Sequence, residues 1–346
     1  MANAPGPMLL APLLKARAWG GRRLLSMGRT PPTGASGPWG ESWELADLPP
    51  AVADGVSRIE AGAFAGATLR EAMRADPLAI MGGALPAGEP RFPLLVKFLD
   101  AAENLSVQVH PDAAYAARHS EAHLKTEAWI VLDADPGAIV YRGLKPHVTR
   151  DAFERHLRDG SALQDLVTLP VRRGDCIPLQ SGLCHALGGG ILVAEVQTPS
   201  DTTFRVYDWD RNDPSRPLHL EAAMECLLFG DEQALGRDPI TNAETLVPLT
   251  AGGMRTVRLC RTPYFEVEQI DAERQVVMDA VTDGGPVVWI SLQGEVRFES
   301  PGPPVTLPPG RTVLLPAAAE GGRMAISRGA RLLRVTLPHP FSRMLA

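Results

Sequence analysis

Arg255-Thr256-Val257-Arg258-Leu259-Cys260 and Tyr264-Phe265-Glu266-Val267-Glu268-Gln269-Ile270 begin a series of short runs that decides the fold. Six more follow at residues 275–280, 287–292, 295–299, 312–315, 323–327 and 332–337. Each is rich in β-branched, aliphatic or aromatic residues, and Gly, Pro or Asp separates most of them at short spacing. That is the pattern of an all-β sandwich or barrel. Upstream, residues 231–247 form a polar connection with Gly and Pro, which predicts a boundary between a unit at 1–235 and one at 240–346.

Before the boundary, strand signals dominate from Phe92 onward. Residues 93–100, 105–110, 127–132, 138–141, 175–179, 191–197 and 202–207 read as strands. Helices are predicted at 68–73, where Thr68 and Glu71 make a capping box, and at 149–158, 162–167 and 219–229. The first thirty residues are poorly periodic and contain one compact element, Ala18-Trp19-Gly20-Gly21-Arg22-Arg23-Leu24. A short alternating run, Glu41-Ser42-Trp43-Glu44-Leu45, follows. Gly and Pro number 33 and 32 among 346 residues, which agrees with many turns joining many short strands.

Composition excludes several function classes. The net charge is −6 with no basic block, and phosphate backbones need clustered Lys and Arg, so nucleic acid is not an expected partner. No apolar run reaches the roughly 18–20 residues that span a bilayer. The stretch 8–14 contains Pro12, has no basic residue before it, and is too short for a signal peptide. The four cysteines, Cys176, Cys184, Cys226 and Cys260, show no CxxC spacing and read as reduced thiols of a cytoplasmic protein.

Chemistry concentrates before residue 212. Ser106, Gln108 and His110 share one face of an alternating strand, with Val107 and Val109 on the other. Glu127 opens an apolar strand, and His185 follows a Pro/Gly turn and precedes three glycines. Two His, one Glu and a Gln on separate segments suit a divalent metal, and these donor types accommodate Zn²⁺, Fe²⁺, Mn²⁺ or Co²⁺. The competing readings are ordinary ones: a solvated strand end, a strand-edge charge, a structural His. Glu195 lies within an apolar strand, and Arg205 shares a face with Thr203 and Tyr207 in the next one. Charges so placed are costly unless paired or used, which leaves a structural Glu195–Arg205 ion pair as the alternative to a catalytic role.

Residues 95–100, 105–112, 125–129, 185–188 and 200–211, with the early Trp19-Gly20-Gly21 and Glu41-Ser42-Trp43-Glu44, resemble the signatures of type I mannose-6-phosphate isomerases. The matches run in order from residue 18 to about 211. Ala113 and Leu124 depart from the usual pattern beside the His110 and Lys125 motifs. Only 58 positions separate Glu127 from His185, which resembles the short bacterial form, without a large helical insert.

The resemblance implies a mainly β, double cupin fold of two jelly-roll barrels with a few helices in the N-terminal half. It implies a Zn²⁺-dependent interconversion of mannose 6-phosphate and fructose 6-phosphate through an enediol. Carried over residue by residue, His110, Glu127 and His185 match metal ligands and Gln108 a fourth. Arg205 matches the catalytic arginine, Glu195 an active-site carboxylate, and Lys125 an active-site lysine. One Zn²⁺ per chain and a small sugar phosphate are the expected cofactor and partner, with a monomer favoured over an oligomer. The alternatives are a non-catalytic cupin that binds a metal or sugar phosphate, and a cupin oxidoreductase using Fe²⁺ and O₂.

Overall fold

The computed structural model describes residues 5–85, 89–231, 233, 240–299, 303–319 and 321–338. Its strands form four sheets in two pairs. A seven-stranded sheet runs in the order Thr241–Asn242, Asp175–Leu179, Glu127–Ala134, Ile191–Gln197, Leu95–Ala101, Leu13–Gly21, Trp39–Leu45. It faces a five-stranded sheet ordered Phe204–Tyr207, Val107–Val109, His185–Leu187, Ile139–Leu144, Leu166–Pro170. The second pair is an eight-stranded sheet built mainly from C-terminal strands and a four-stranded sheet of Val276–Asp279, Arg323–Ile326, Val296–Glu299 and Val305–Leu307.

The two large sheets pack back to back, and their alternating residues explain why the central strands are buried on both faces. In Ile191–Gln197, Leu192, Ala194 and Val196 join a core that includes Val257, Leu259, Ile290, Leu333 and Val335 of the eight-stranded sheet. Val193, on the other face, packs with Trp19, Leu99, Trp129 and Val131 inside the first unit. Glu195 and Gln197 share Val193's parity, so period-two geometry aims them into the same interior.

The polar connection does not separate the sheets cleanly. Met8–Leu10 pairs with Thr312–Leu315 and Ile59–Gly62, so two early strands extend the C-terminal sheet. Thr241–Asn242, after the connection, pairs with Asp175–Leu179 in the N-terminal one.

Most predicted elements form. Asp175–Leu179, Ile191–Gln197 and Thr312–Leu315 have the expected bounds. The helix Leu69–Ala75 carries the Thr68/Glu71 capping box, and Thr149 caps Arg150–Asp159, which ends on Gly160 in the left-handed conformation. The helix expected at 162–167 is instead a single 3₁₀ turn, Ala162–Asp165, followed by the strand Leu166–Pro170. A short apolar run does not distinguish helix from strand, and pairing with Ile139–Leu144 settles it. The helix Ala113–Arg118 was not anticipated; its signal was Asp112, whose carboxylate accepts from Tyr115 N–H at 2.7 Å. Among the described residues no helix is long and apolar enough to cross a membrane.

Candidate metal centre and active site

Antiparallel register assembles one wall of the site. Gln108 lies opposite His185 on one side and opposite Arg205 on the other, so three neighbouring strands present Arg205, Gln108 and His185 in a row. His110 follows at the end of the same central strand. The facing sheet supplies Glu127, adjacent to Gln197 in the ladder, and Glu195, which lies opposite both Lys97 and Trp129.

His110, Glu127 and His185 are buried, and one potential ligand atom from each lies within 4.8 Å of the others. His110 Nε2 is 3.4 Å from Glu127 Oε2, and His185 Nε2 is 3.3 Å from Glu127 Oε1. Both imidazoles are oriented from behind. His185 Nδ1 is 2.8 Å from the Leu183 carbonyl and His110 Nδ1 is 3.1 Å from that of Thr202, so each Nδ1–H donates and each Nε2 keeps its lone pair. Burial, followed by the charge of Lys125, pushes His110 down to about 3, which keeps the ring neutral and able to ligate. Burial alone would raise Glu127, but Lys125 and then His110 hold its carboxyl well below the usual range. His110 Nε2 and both Glu127 oxygens complete no hydrogen bond, although Lys125 Nζ lies 2.9 Å from Oε2. Buried polar atoms left in this state are costly unless another partner exists. Two neutral imidazole nitrogens and a carboxylate that converge in this way fit a divalent metal.

Gln108 is turned differently. Ser106 Oγ donates to its Oε1 at 3.2 Å, and its Nε2 faces His185 Nε2 at 3.3 Å. In this orientation its oxygen points away from the cluster.

Above the cluster opens a cavity of about 360 Å³, lined among others by Trp19, Glu41, Lys97, Gln108, Lys125, Glu195, Thr203 and Arg205. Its cations are nearly all compensated: Arg17 by Glu41, Lys97 by Glu195 at 3.2 Å, Lys125 by Glu127, and Arg216 by Asp208. Among the described residues Arg205 is the lining cation with no carboxylate in ion-pair range, and its buried Nε has no hydrogen-bond partner. The alternative Glu195–Arg205 pair is therefore absent. Lys97 holds Glu195 instead, and Trp129 Nε1–H donates to its other oxygen at 2.9 Å.

Lys97, Glu41 and Arg17 received no role from sequence reasoning. The available signal was the one that singled out Glu195: Lys97 stands inside the wholly apolar neighbourhood of 94–99. Burial opposes the charge on Lys97, but Glu195 and Glu41 outweigh it and hold its ammonium above the usual range. Burial likewise opposes the Glu41 charge, but Lys97 and Arg17 bring its carboxyl down to about 2. Tyr207 departs from expectation. The ladder shifts register between Arg205 and Tyr207, and the Tyr207 ring packs with the Val206 cluster and Trp209. The extra residue takes it off the face that Arg205 occupies.

A mannose-6-phosphate isomerase of Streptococcus mutans serotype c is 34% identical over 297 residues, covering 84% of this chain and 86% of its own length. The chain belongs to the mannose-6-phosphate isomerase family. The model of the phosphomannose isomerase type I catalytic domain matches residues 8–131, which include Gln108, His110, Lys125 and Glu127. A probable mannose-6-phosphate isomerase of Bacillus subtilis, GmuF, is 40% identical over 226 residues, 64% of this chain and 68% of that protein. The crystal structure of the mannose 6-phosphate isomerase from Bacillus subtilis superposes with a TM-score of 0.80 at 28% identity, covering 95% of this chain and 99% of that one. The mainly β, double cupin architecture of this isomerase family is thus the architecture of this chain.

Proposed function

We propose that this isomerase interconverts mannose 6-phosphate and fructose 6-phosphate, with a single Zn²⁺ held by His110, Glu127 and His185. The observation that carries the reading is a buried His–Glu–His set, with His110 Nε2 and both Glu127 oxygens unsatisfied, beside a polar cavity whose uncompensated cation, among the described residues, is Arg205. Gln108 becomes a fourth ligand if its amide turns its oxygen toward His185. A divalent ion bound there supplies Lewis acidity toward the substrate's oxygens.

The chain's own residues account for the remaining steps. Glu195 takes the proton from C2. The C–H electron pair forms the C1–C2 double bond, and negative charge develops on the former aldehyde oxygen. Arg205 stabilises that charge without giving up a proton, which a guanidinium does well because it stays ionised. Return of the proton from Glu195 to C1, with the O2 proton passing to O1 as the C2 carbonyl forms, completes the ketose. Lys97 and Trp129 fix the Glu195 carboxylate in place. Lys125 orients Glu127 and offers its remaining donors to the sugar phosphate. We assign the catalytic centre to a unit of roughly residues 1–235 and a metal-free barrel to roughly 240–346, in a monomer of the cytoplasm.

A coupled assay that detects fructose 6-phosphate formed from mannose 6-phosphate, run with and without chelator, tests the reading. Turnover lost on chelation and restored by Zn²⁺ is expected. Sugar-phosphate binding without turnover, or oxygen uptake with Fe²⁺, would replace it.

A further inference from the structure

The strand that carries Arg205 is the outer edge of the five-stranded sheet, so one side of its backbone has no neighbouring strand. At residue 205 that side is taken by residue 219. His219 N–H donates to the Arg205 carbonyl at 2.8 Å, and Arg205 N–H donates to His219 Nδ1 at 3.3 Å. His219 is the N-cap of the helix Leu220–Cys226, yet its side chain makes no cap bond to that helix. The imidazole is spent on Arg205 instead. Directly after this point the ladder loses register, so ordinary strand pairing does not by itself fix where the guanidinium aims.

We propose that His219 is a positioning residue: its neutral imidazole and its backbone clamp Arg205 at two points and set the direction of the guanidinium in the cavity. The inference rests on the role given to Arg205 above. The clamp works with Nδ1 unprotonated, because a protonated Nδ1 would set donor against donor. Arg205 is the charged group facing the ring from the packed strand. Glu121, His123 and Asp201 line the neighbouring cavity with His219, and Glu221 lies in the first turn of its own helix. Burial and then the Arg205 charge lower the His219 pKa, which favours the acceptor form.

The test compares His219→Ala, His219→Asn, Arg205→Ala and the double variant His219→Ala/Arg205→Ala in the full chain loaded with Zn²⁺. Metal content and melting temperature are measured on the same samples. His219→Ala should lower kcat about tenfold, the scale of one lost hydrogen bond, with KM within about twofold. His219→Asn places an amide oxygen near the Nδ1 position and should recover most of the loss, without the part of the acid limb that His219 protonation causes. Adding His219→Ala to Arg205→Ala should cost nothing further. In ¹⁵N-histidine-labelled protein the His219 Nδ1 should show the shift of an unprotonated acceptor. Wild-type kcat in His219→Ala, an Asn variant no better than Ala, or losses that multiply in the double variant would overturn the proposal. Wild-type kcat in Arg205→Ala would instead remove the role given to Arg205, while the nitrogen shift would still report whether the clamp exists. Should His219→Ala fold poorly, the Asn variant and the nitrogen shift decide.

Discussion

The two β units use the same building plan and fill it with opposite chemistry. Between the four-stranded sheet and its partner, the inward positions are Trp289, Val296, Phe298, Val305, Leu307, Val313, Met324 and Ile326, all buried and packed on one another. In the N-terminal unit the corresponding interior is apolar at one end only, around Trp19, Leu99, Trp129 and Val193. At the other end it holds Lys97, His110, Lys125, Glu127, His185 and Glu195, every one less than 5% exposed. Buried ion pairs roughly break even against their desolvation cost, whereas buried aliphatic and aromatic groups are a net gain. The charged end of the N-terminal interior is thus the part that contributes least to stability, and the apolar clusters around it and in the other unit contribute most.

The most severe way to probe this division is to remove a ligand. His110→Ala, Glu127→Ala and His185→Ala should each release bound zinc and reduce turnover to background while the chain stays folded, because each deletes one of three converging donors. Gln108→Ala should be milder, since its oxygen is turned toward Ser106. Zinc analysis beside circular dichroism checks this; full zinc in His185→Ala would refute the ligand set.

Phe298→Ala probes the opposite unit. Loss of a fully buried aromatic side chain should cost about 3–5 kcal/mol of stability. Turnover per folded molecule should not change. A kcat loss measured well below the melting transition would show that the division between the units is false.

Arg205→Ala separates catalysis from folding within the N-terminal unit. It should retain zinc and a near-normal melting temperature, and lose about 10²–10³-fold in kcat with a smaller change in KM. Arg205→Lys should recover part of this, because a point charge on a flexible stem does not reproduce the planar fork. Normal kcat with a depressed melting temperature would make Arg205 structural.

The smallest effect is expected in acid. Glu41 binds its proton more weakly in the folded chain, about 2 against an ordinary 4.5. Its contribution is therefore complete above about pH 4.5 and drains away as pH falls toward 2. It amounts to on the order of 3 kcal/mol by linkage. Denaturant melts between pH 6 and pH 3 should show a loss that Glu41→Gln reduces; an unchanged acid slope in that variant would remove Glu41 from the account.

What was legible in the sequence follows from local geometry. Period-two alternation placed Gln108 and His110 on one face, where both meet His185, and it placed Glu195 with Val193 and Gln197, away from Leu192, Ala194 and Val196; both placements hold. Caps and strand-length runs located most elements to within a few residues. Tyr207 was misplaced because an irregular register leaves no mark in a four-residue pattern. The strands Met8–Leu10 and Leu13–Gly21 were not foreseen because their partners lie elsewhere in the chain: Met8 pairs with Leu314, and Leu13 with Trp43.

Side-chain type, strand parity and spacing were therefore enough to nominate the donors His110, Glu127 and His185 and the pair Glu195 and Arg205, because each such property belongs to a single segment. Which of those groups meet depends on segments far apart in the chain, and only the tertiary structure decides it. Lys97 lies 98 positions before Glu195 and neutralises it, and Arg205 is left without a carboxylate partner among the described residues. His219 reaches back across the edge of the sheet to the backbone of Arg205. Coulomb and hydrogen-bond energies depend on distance in space, and a sequence records distance only along the chain.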